Sequence, residues 1–330
     1  MRISSQQKHD MQQATKDTEN KRPGQLHFAV IGTRITNLLS GLAYPLLLVA
    51  AAVTLWATFR FDLNYGLCNV VFLAWTILYL AILEWLIPYD MTWRPTGREW
   101  ARDGLYLLIT MVGGGMAVAA VLAVAAFVSP RHSSWPLWLE IPLALGGSSF
   151  GSYVFHRAGH TFPWLWRIHG IHHVEAKVNV GNNGLNHVLD VFGRRFLAQL
   201  PLILLGLSQP AIFVVSIFNT LQGYFVHANI RVRLGKLNYL VVSPEQHRLH
   251  HSLDLQEAGH FSVDIPLWDW LFGSFTWQPG RVPKAIGIEH PDSFPPPNAI
   301  VASFLYPWRK RVYPPAPAPR PIEETQSESC

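Results

Sequence analysis

The hydrophobic pattern of the chain contains four long runs with few or no charged side chains before residue 156. They cover residues 35–59, 63–83, 104–130 and 135–155, and only the last contains a charge, Glu140 near its start. A helix needs about 20 apolar residues to cross the hydrocarbon core of a bilayer. The pattern therefore predicts four transmembrane helices.

A fifth uncharged run covers residues 196–230. As one helix it would be roughly 52 Å long at 1.5 Å per residue, which is too long for a single crossing. The turn-forming sequence Gly206-Leu-Ser-Gln-Pro210 interrupts it near the middle. The run is better explained by a re-entrant helical hairpin that returns to the same side. The predicted fold is an all-α integral membrane protein with about four transmembrane helices plus this hairpin.

Composition and loop charges refine this picture. The chain is 49% hydrophobic and 14% charged, against about 25% charged residues in a typical soluble protein. The N-terminal segment and residues 94–102 are rich in Lys and Arg, whereas the loops after the first and third helices carry only Arg60 and Arg131. Because basic loops stay in the cytoplasm, the N-terminus and the end of the fourth helix are expected there. This bias also explains the net charge of +5, so we expect no nucleic-acid partner.

Four segments follow from these patterns. Residues 1–26 are polar, lack the apolar core of a signal peptide and are expected to form a disordered tail. Residues 27–139 form an N-terminal transmembrane region, and residues 140–276 carry most of the histidines. Residues 277–330 are rich in proline and are expected to be an extended tail outside the packed core.

Eleven of the fifteen histidines fall between His156 and His260, most of them in three clusters. The clusters read His156-Arg-Ala-Gly-His160, His169-Gly-Ile-His172-His173 and His247-Arg-Leu-His250-His251. Residues three or four apart share one face of a helix, and neutral imidazole is the commonest metal ligand in proteins. Three such faces offer more ligands than one metal ion accepts, so the pattern suggests a two-metal site in a cytoplasmic helical cap.

Local start signals place the second and third clusters on helices. Pro163 ends the preceding helix and fits the first turn of the next one. Before the third cluster, Ser243 can act as N-cap, Pro244 as the first helical residue and Gln246 as the reciprocal partner of a capping box.

These motifs resemble the fatty acid hydroxylase superfamily, also called the sterol desaturase family. The resemblance covers roughly residues 140–276, which we interpret as a fatty acid hydroxylase catalytic domain. The matching segments are Tyr153-Val-Phe-His156-Arg157-Ala-Gly-His160, Leu165-Trp166-Arg167-Ile-His169-Gly-Ile-His172-His173, Ser243-Pro-Glu-Gln-His247-Arg-Leu-His250-His251-Ser252 and Pro266-Leu-Trp-Asp269-Trp-Leu-Phe-Gly273.

The resemblance implies a non-haem di-iron site at the cytosolic membrane face, which activates O₂ and hydroxylates, or sometimes desaturates, a lipid. It implies two iron ions per chain as cofactor. The ten ligands that it implies are His156, His160, His169, His172, His173, His187, His227, His247, His250 and His251. His260, Asp190 and Asp269 are candidates for residues that orient the ligands, because the ring nitrogen of each ligand that does not bind metal needs a hydrogen-bond partner.

The chain departs from the family pattern at several positions. Ser149 stands where many members have an acidic residue, and Leu185 and Val188 replace the Arg and Pro around His187. His260-Phe-Ser stands where members often have Asn-Phe-Gly or Asn-Tyr-Gly. These changes leave the metal chemistry in place, but they prevent a transfer of substrate identity.

The partners expected are a membrane lipid substrate and a separate ferredoxin- or cytochrome-type electron donor, because the sequence has no flavin, nucleotide or fused cytochrome motif. Arg157, Arg167 and Arg248 could dock an acidic donor. The predicted location is the bacterial inner membrane.

Three other functions stay open at this stage. A lipid or sterol desaturase would use the same site. A membrane zinc hydrolase is disfavoured because the sequence has no H-E-x-x-H motif. A non-catalytic membrane protein that has kept a structural metal is disfavoured because all three histidine clusters are intact. Sterols, fatty acyl chains, carotenoids and ornithine lipids are all open as substrates.

Overall fold

The computed structural model describes residues 23–128 and 133–309, and these residues are helical with connecting loops. The parts of the predicted tails at residues 1–22 and 310–330 lie outside the described residues. The helices are α1 (Pro23–Arg60), α2 (Tyr65–Leu86), α3 (Gly97–Val128), α4 (Leu137–Thr161), α5 (Pro163–His173), α6 (Val188–Leu204), α7 (Gln209–Phe225), α8 (Pro244–His250), α9 (Leu267–Leu271) and α10 (Ile300–Leu305). The predicted all-α class is confirmed for this part of the chain.

Three helices in the described part are long and apolar enough to cross a membrane. The first is the part of α1 from Gly32 to Arg60, and the other two are α2 and α3. Their mean hydropathies are 2.1, 2.1 and 2.3. Large apolar side chains such as Trp56, Leu78 and Phe127 are exposed on them. Exposed apolar surface on this scale is not stable in water, whereas lipid tails solvate it. The chain is therefore a membrane protein, as its hydrophobic pattern predicts.

Helix α4 has a different character. It spans residues close to the fourth predicted crossing, but the face that it buries is made of small and polar residues, including Ala144, Ser148 and Gly151. It packs against α5, α6 and α7 and so forms the centre of the helical body. It is not among the helices apolar enough to qualify as membrane spans. A fourth crossing therefore stays a prediction.

The fifth apolar run forms two helices, as predicted. A Schellman motif ends α6, in which Gly206 has a φ of 65° and the Leu207 N–H donates to the Leu202 carbonyl at 3.0 Å. Ser208 then caps α7. The two helices diverge around α4, since α6 packs on α3 and α4 while α7 packs on α2 and α4. Whether the pair dips into a membrane stays a prediction.

The chain after residue 277 packs more closely than expected. Phe294 is buried in a cluster with Tyr106, Ile171 and Leu185, and the turn Tyr306–Trp308 lies against α5. The aromatic residues between the prolines supply apolar surface that an extended tail would leave in water. Residues 277–309 thus differ from the predicted tail outside the core, and they cover the helix that carries the second histidine cluster.

Gly151 lies at the closest contact between α4 and α6. A Cβ added there would overlap the carbonyl of Leu197, whereas a Cβ at Gly146 on the same helix would meet nothing within 4 Å. We expect Gly151→Ala to lower the free energy of unfolding by about 1–3 kcal/mol, the usual cost of overpacking. Gly146→Ala, the matched control, should be neutral or slightly stabilising because Ala favours a helix over Gly. Thermal unfolding in detergent measures both, and equal effects would contradict the close contact.

Candidate metal centre

The three histidine clusters lie on three helices that meet in space. His156 and His160 occupy the last turns of α4, and Pro163 starts α5 with its histidines in the second half. The predicted capping box starts α8, because the Ser243 hydroxyl accepts the Glu245 N–H and the Gln246 side chain accepts the Ser243 N–H at 2.8 Å. The local signals in the sequence therefore determine where each ligand helix begins.

Nine histidines of the described chain form two groups. Within each group, one ring nitrogen of every member lies within 4.8 Å of those of the others. Site A is His156, His160, His169, His173 and His250, and site B is His172, His227, His247 and His251. The spacing in the sequence predicted two metal positions, and the structure has two groups of imidazoles that could hold them.

The two sites share their helices. Helix α5 contributes His172 to site B and its neighbour His173 to site A. The last residue of α8, His250, belongs to site A, and the C-cap residue that follows it, His251, belongs to site B. The rings of His173 and His251, which belong to different sites, stack with their centroids 4.3 Å apart. The sites are therefore adjacent, and one helix rotation would disturb both.

Backbone carbonyls select the tautomer of several ligands. A carbonyl has no hydrogen to give, so the facing ring nitrogen must carry the proton and the other nitrogen keeps its lone pair for a metal. The Nδ1 donors and their acceptors are His156 to Phe261 (2.5 Å), His172 to Leu185 (3.2 Å), His227 to Asn179 (2.8 Å) and His250 to Gly259 (2.8 Å).

The inward nitrogens fit metal ions. Nε2 of His156, His160, His227 and His250 is buried with no hydrogen-bond partner among the described residues. Nε2 atoms of His169 and His173 lie 3.1 Å apart, and those of His247 and His251 3.2 Å. Two adjacent ligands of one octahedral ion are roughly 3.0 Å apart when each metal–nitrogen bond is about 2.1 Å. All-imidazole sets suit iron, zinc or copper.

Burial keeps these imidazoles neutral. It lowers the pKa of His227 to about 4 and that of His250 to about 3, with nearby histidines adding to the effect at His250. Burial, followed by the neighbouring histidines, also holds the pKa of His173, His247 and His251 well below 6.5. Neutral imidazole is the form that binds metal, so the ligands are ready for metal at pH 7.

One acidic residue contacts a ligand directly. The Asp190 carboxylate lies 3.1 Å from Nδ1 of His169 and is fully enclosed, as the sequence suggested. Glu175, which follows the second cluster by two residues, pairs with Arg102 on α3 at 2.5 Å. Asp264 accepts a hydrogen bond from the Ser149 hydroxyl at 2.6 Å. The serine that replaces the family's acidic residue thus bonds an acid from another segment.

The structure does not place His187 in either group of imidazoles, although the resemblance implied it as a ligand. It is the N-cap of α6, where its Nδ1 accepts the Leu189 N–H at 3.1 Å and its Nε2 donates to the Phe304 carbonyl at 2.9 Å. Both ring nitrogens therefore make hydrogen bonds within the protein. Its position depends on packing against α10, which no local pattern indicates.

His260 and Asp269 support the loop that follows α8. Asp269 accepts the N–H groups of Phe261 and Ser262 at 2.8 and 3.0 Å, and the Phe261 carbonyl in turn orients His156. His260 is fully buried with a φ of 60°, and its Nε2 accepts the Thr276 N–H at 3.0 Å. It lies outside both groups. Asp269 thus acts on His156 indirectly, by holding the backbone whose carbonyl accepts the hydrogen bond from that ring.

Several residues that position the site were missed by sequence reasoning. The carbonyls of Leu185, Asn179 and Gly259 orient ligands, but any residue type offers a carbonyl, so no side-chain signal marks them. Glu84 near the end of α2 accepts the N–H groups of Val180 and Asn229, at 2.6 and 2.8 Å. A single buried acid at the end of an apolar run was a signal that could have found it.

Two of the three arginines considered for donor docking make hydrogen bonds within the protein, and the third is buried. Arg157 donates to the Tyr153 hydroxyl and the Phe272 carbonyl. Arg167 donates to the carbonyls of Tyr306 and Arg309. Arg248 is only 3% exposed, so it is not part of an outer docking face.

Comparison with known proteins agrees with this site. The model of the fatty acid hydroxylase family matches residues 141–274. Ornithine lipid hydroxylase OlsE of Rhizobium tropici is 32% identical over 271 residues, which are 78% of this chain and 81% of the relative. The chain belongs to the fatty acid hydroxylase family. No solved structure matches it.

Relatives in animals cover a smaller part of the chain. Alkylglycerol monooxygenase of Danio rerio is 32% identical over 168 residues, which are 49% of this chain and 35% of the relative. The Homo sapiens protein of the same name is 29% identical over 50% of this chain and 36% of its own length. The chain thus spans about a third of these two relatives. It is an oxidoreductase of the same family.

His227 and His187 provide a test of the ligand set. We expect His227→Ala to lose metal, because site B would keep three imidazoles, while His187→Ala should retain the metal content of the parent. Elemental analysis of protein purified in detergent measures this. The exposed His290 offers a control, His290→Ala, which should change nothing. Metal loss in His187→Ala equal to that in His227→Ala would restore His187 as a ligand.

The lowered histidine pKa values predict an acid-sensitive apoprotein. In the unfolded chain His227 and His250 take up a proton below about pH 6.5, whereas in the folded protein they stay unprotonated down to about pH 4 and 3. The free energy of unfolding should therefore fall as the pH drops from 6.5 towards 4. Asp264, whose pKa burial raises to about 6, opposes this as a single group. Melting temperatures of metal-free protein between pH 7.5 and 5 measure the effect; a flat profile would contradict neutral ligands.

Proposed function

We propose that this oxidoreductase binds two iron ions, one in each site, and uses O₂ to hydroxylate a C–H bond of a membrane lipid. The observation that carries the proposal is the pair of adjoining, all-histidine groups in a membrane protein of the fatty acid hydroxylase family. The inward ring nitrogens are buried and neutral, which suits a redox metal that must be kept from bulk water.

The reaction needs chemistry that side chains lack. Bound iron supplies the oxidant for an unactivated C–H bond. In the balanced reaction the lipid C–H bond and O₂ take up two electrons and two protons, and the products are the alcohol and one water. The electrons come from a separate donor of ferredoxin or cytochrome type, because the sequence contains no flavin or nucleotide motif.

The protein's own groups hold the centre in place and keep it dry. Asp190 and the carbonyl acceptors fix the ring orientations. The rings of Trp166 and Phe261 each lie 5.2 Å from that of His160, so apolar groups flank site A. Exclusion of water in this way protects a reactive centre from side reactions.

We infer that the substrate is a polar membrane lipid, with an ornithine-containing lipid as the first candidate. Support comes from the relative named ornithine lipid hydroxylase, which aligns along most of both chains. The loop charges favour a metal centre at the cytoplasmic face, and the similarity to a bacterial protein favours the bacterial inner membrane. Lipids would then reach the centre sideways from the bilayer.

Expression in a bacterium that makes ornithine lipid tests the proposal, because the host supplies lipid and electron donor. Under ¹⁸O₂ we expect a lipid heavier by one labelled oxygen atom, and His172→Ala should abolish it because site B loses a ligand. His290→Ala is the matched control with full product. A product lighter by two hydrogen atoms would make the enzyme a desaturase. Bound zinc together with an unchanged lipid profile would contradict the oxygenase.

A further inference from the structure

A pocket of about 290 Å³ is lined in part by Glu245 and Arg248 of α8 and by none of the histidines of the two sites. Three segments and one side of α8 enclose it. Its lining includes Tyr89, Arg231, Arg233, Arg248 and Arg281. Its volume is at the lower end of the range for small-molecule sites, so it suits a single polar group with a short organic portion. The metal chemistry above does not use it.

The buried member of this lining is Arg248. It is 3% exposed, and its Nε and one terminal nitrogen are buried with no hydrogen-bond partner among the described residues. Its guanidinium carbon lies 3.9 Å from the centroid of the Tyr89 ring, which holds the group flat against an aromatic face. Buried donors without partners are costly. An anion in the pocket would satisfy them.

The other charges of the lining leave a positive excess. Arg281 is paired with Glu257 at 3.2 Å. Glu245 is the one acid of the lining, and one of its oxygens already accepts from the Leu234 N–H and the Asn238 amide at 2.9 and 3.0 Å. Arg231 and Arg233 are exposed at the rim. Apart from the paired Arg281, three guanidinium groups of the lining therefore face a single carboxylate.

The ligand chemistry that fits this arrangement is a phosphate group. Guanidinium groups bind phosphate through paired hydrogen bonds, and an ion with up to two negative charges matches the excess better than one carboxylate would. We propose that the pocket binds a phosphate monoester or diester, with the phosphate between Arg231, Arg233 and Arg248. Val232, Val282 and Pro283 provide apolar wall for the attached organic group.

The position of the pocket favours a lipid headgroup as the source of that phosphate. Tyr89 follows the end of the membrane helix α2 by three residues, and Pro88 pairs with Ile230 next to the rim arginine. The pocket is thus joined to the point where an apolar helix ends, where phospholipid headgroups lie. A soluble phosphate ester would use the same arginines, and the experiment separates the two sources.

The test measures binding of inorganic phosphate, glycerol 3-phosphate and a short-chain phosphatidic acid to full-length protein in detergent. We expect saturable binding that raises the melting temperature, while the matching diacylglycerol, which lacks phosphate, does not bind at the site. Arg231→Gln/Arg233→Gln should weaken binding by about tenfold or more, because it removes two charge-assisted contacts. Arg98→Gln/Lys236→Gln removes the same charge from exposed positions outside the pocket and should bind normally.

Tighter binding of phosphatidic acid than of glycerol 3-phosphate, with the loss confined to the pocket variant, would support a lipid headgroup. Equal or tighter binding of the soluble phosphates, with the same loss, would support a soluble ester in the pocket. The proposal would be overturned by the absence of phosphate binding. Binding that is equal in the parent and the pocket variant, or equally weakened in both variants, would also overturn it. None of these readouts depends on iron or on lipid hydroxylation.

Discussion

The structure depends on the packing of nine imidazoles into two groups, in which most of the rings are buried. An imidazole has two nitrogens, and only one can face a metal, so the other needs an acceptor. Loops supply most of these acceptors: Leu185 and Asn179 come from the segment between α5 and α6, and Gly259 and Phe261 from the segment after α8. The helices aim the rings, and the loops decide which nitrogen carries the proton.

The membrane region contributes directly to this arrangement. Glu84 lies near the end of α2 and binds the N–H groups of Val180 and Asn229. Val180 follows Asn179, whose carbonyl orients His227, and Asn229 lies two residues after His227. One buried carboxylate therefore ties both the segment of His227 and the segment whose carbonyl orients it to an apolar helix. Because Glu84 lies at the end of the span, its carboxylate is close to N–H groups whose hydrogen bonds offset the free-energy cost of burying it.

The sequence predicted most of the architecture and only part of the site. Helix positions follow from charge-free runs and from local signals such as Pro163 and the Ser243 capping box, which act within a few residues. The three clusters were found because helical spacing and metal-ligand chemistry are both local. The structure places His187 outside both groups, in contact with Phe304 more than a hundred residues away, and no local pattern indicates that contact. The backbone acceptors carry no side-chain signature, and the packing of residues 277–309 depends on tertiary contacts of Phe294 that proline content conceals.

The distribution of ligands has a structural consequence for the centre as a whole. Site A takes rings from α4, α5 and α8, whereas site B takes them from α5, α8 and the residue that follows α7 by two positions. Because His172 and His173 are neighbours on one helix, α5 cannot turn to improve one site without moving the other. His250 at the end of α8 and its C-cap neighbour His251 are linked in the same way. The separation of the two sites is therefore fixed by helix geometry, which is stiffer than any single side chain. Neighbouring residues on α5 and at the end of α8 therefore fix the separation between the two groups of imidazoles.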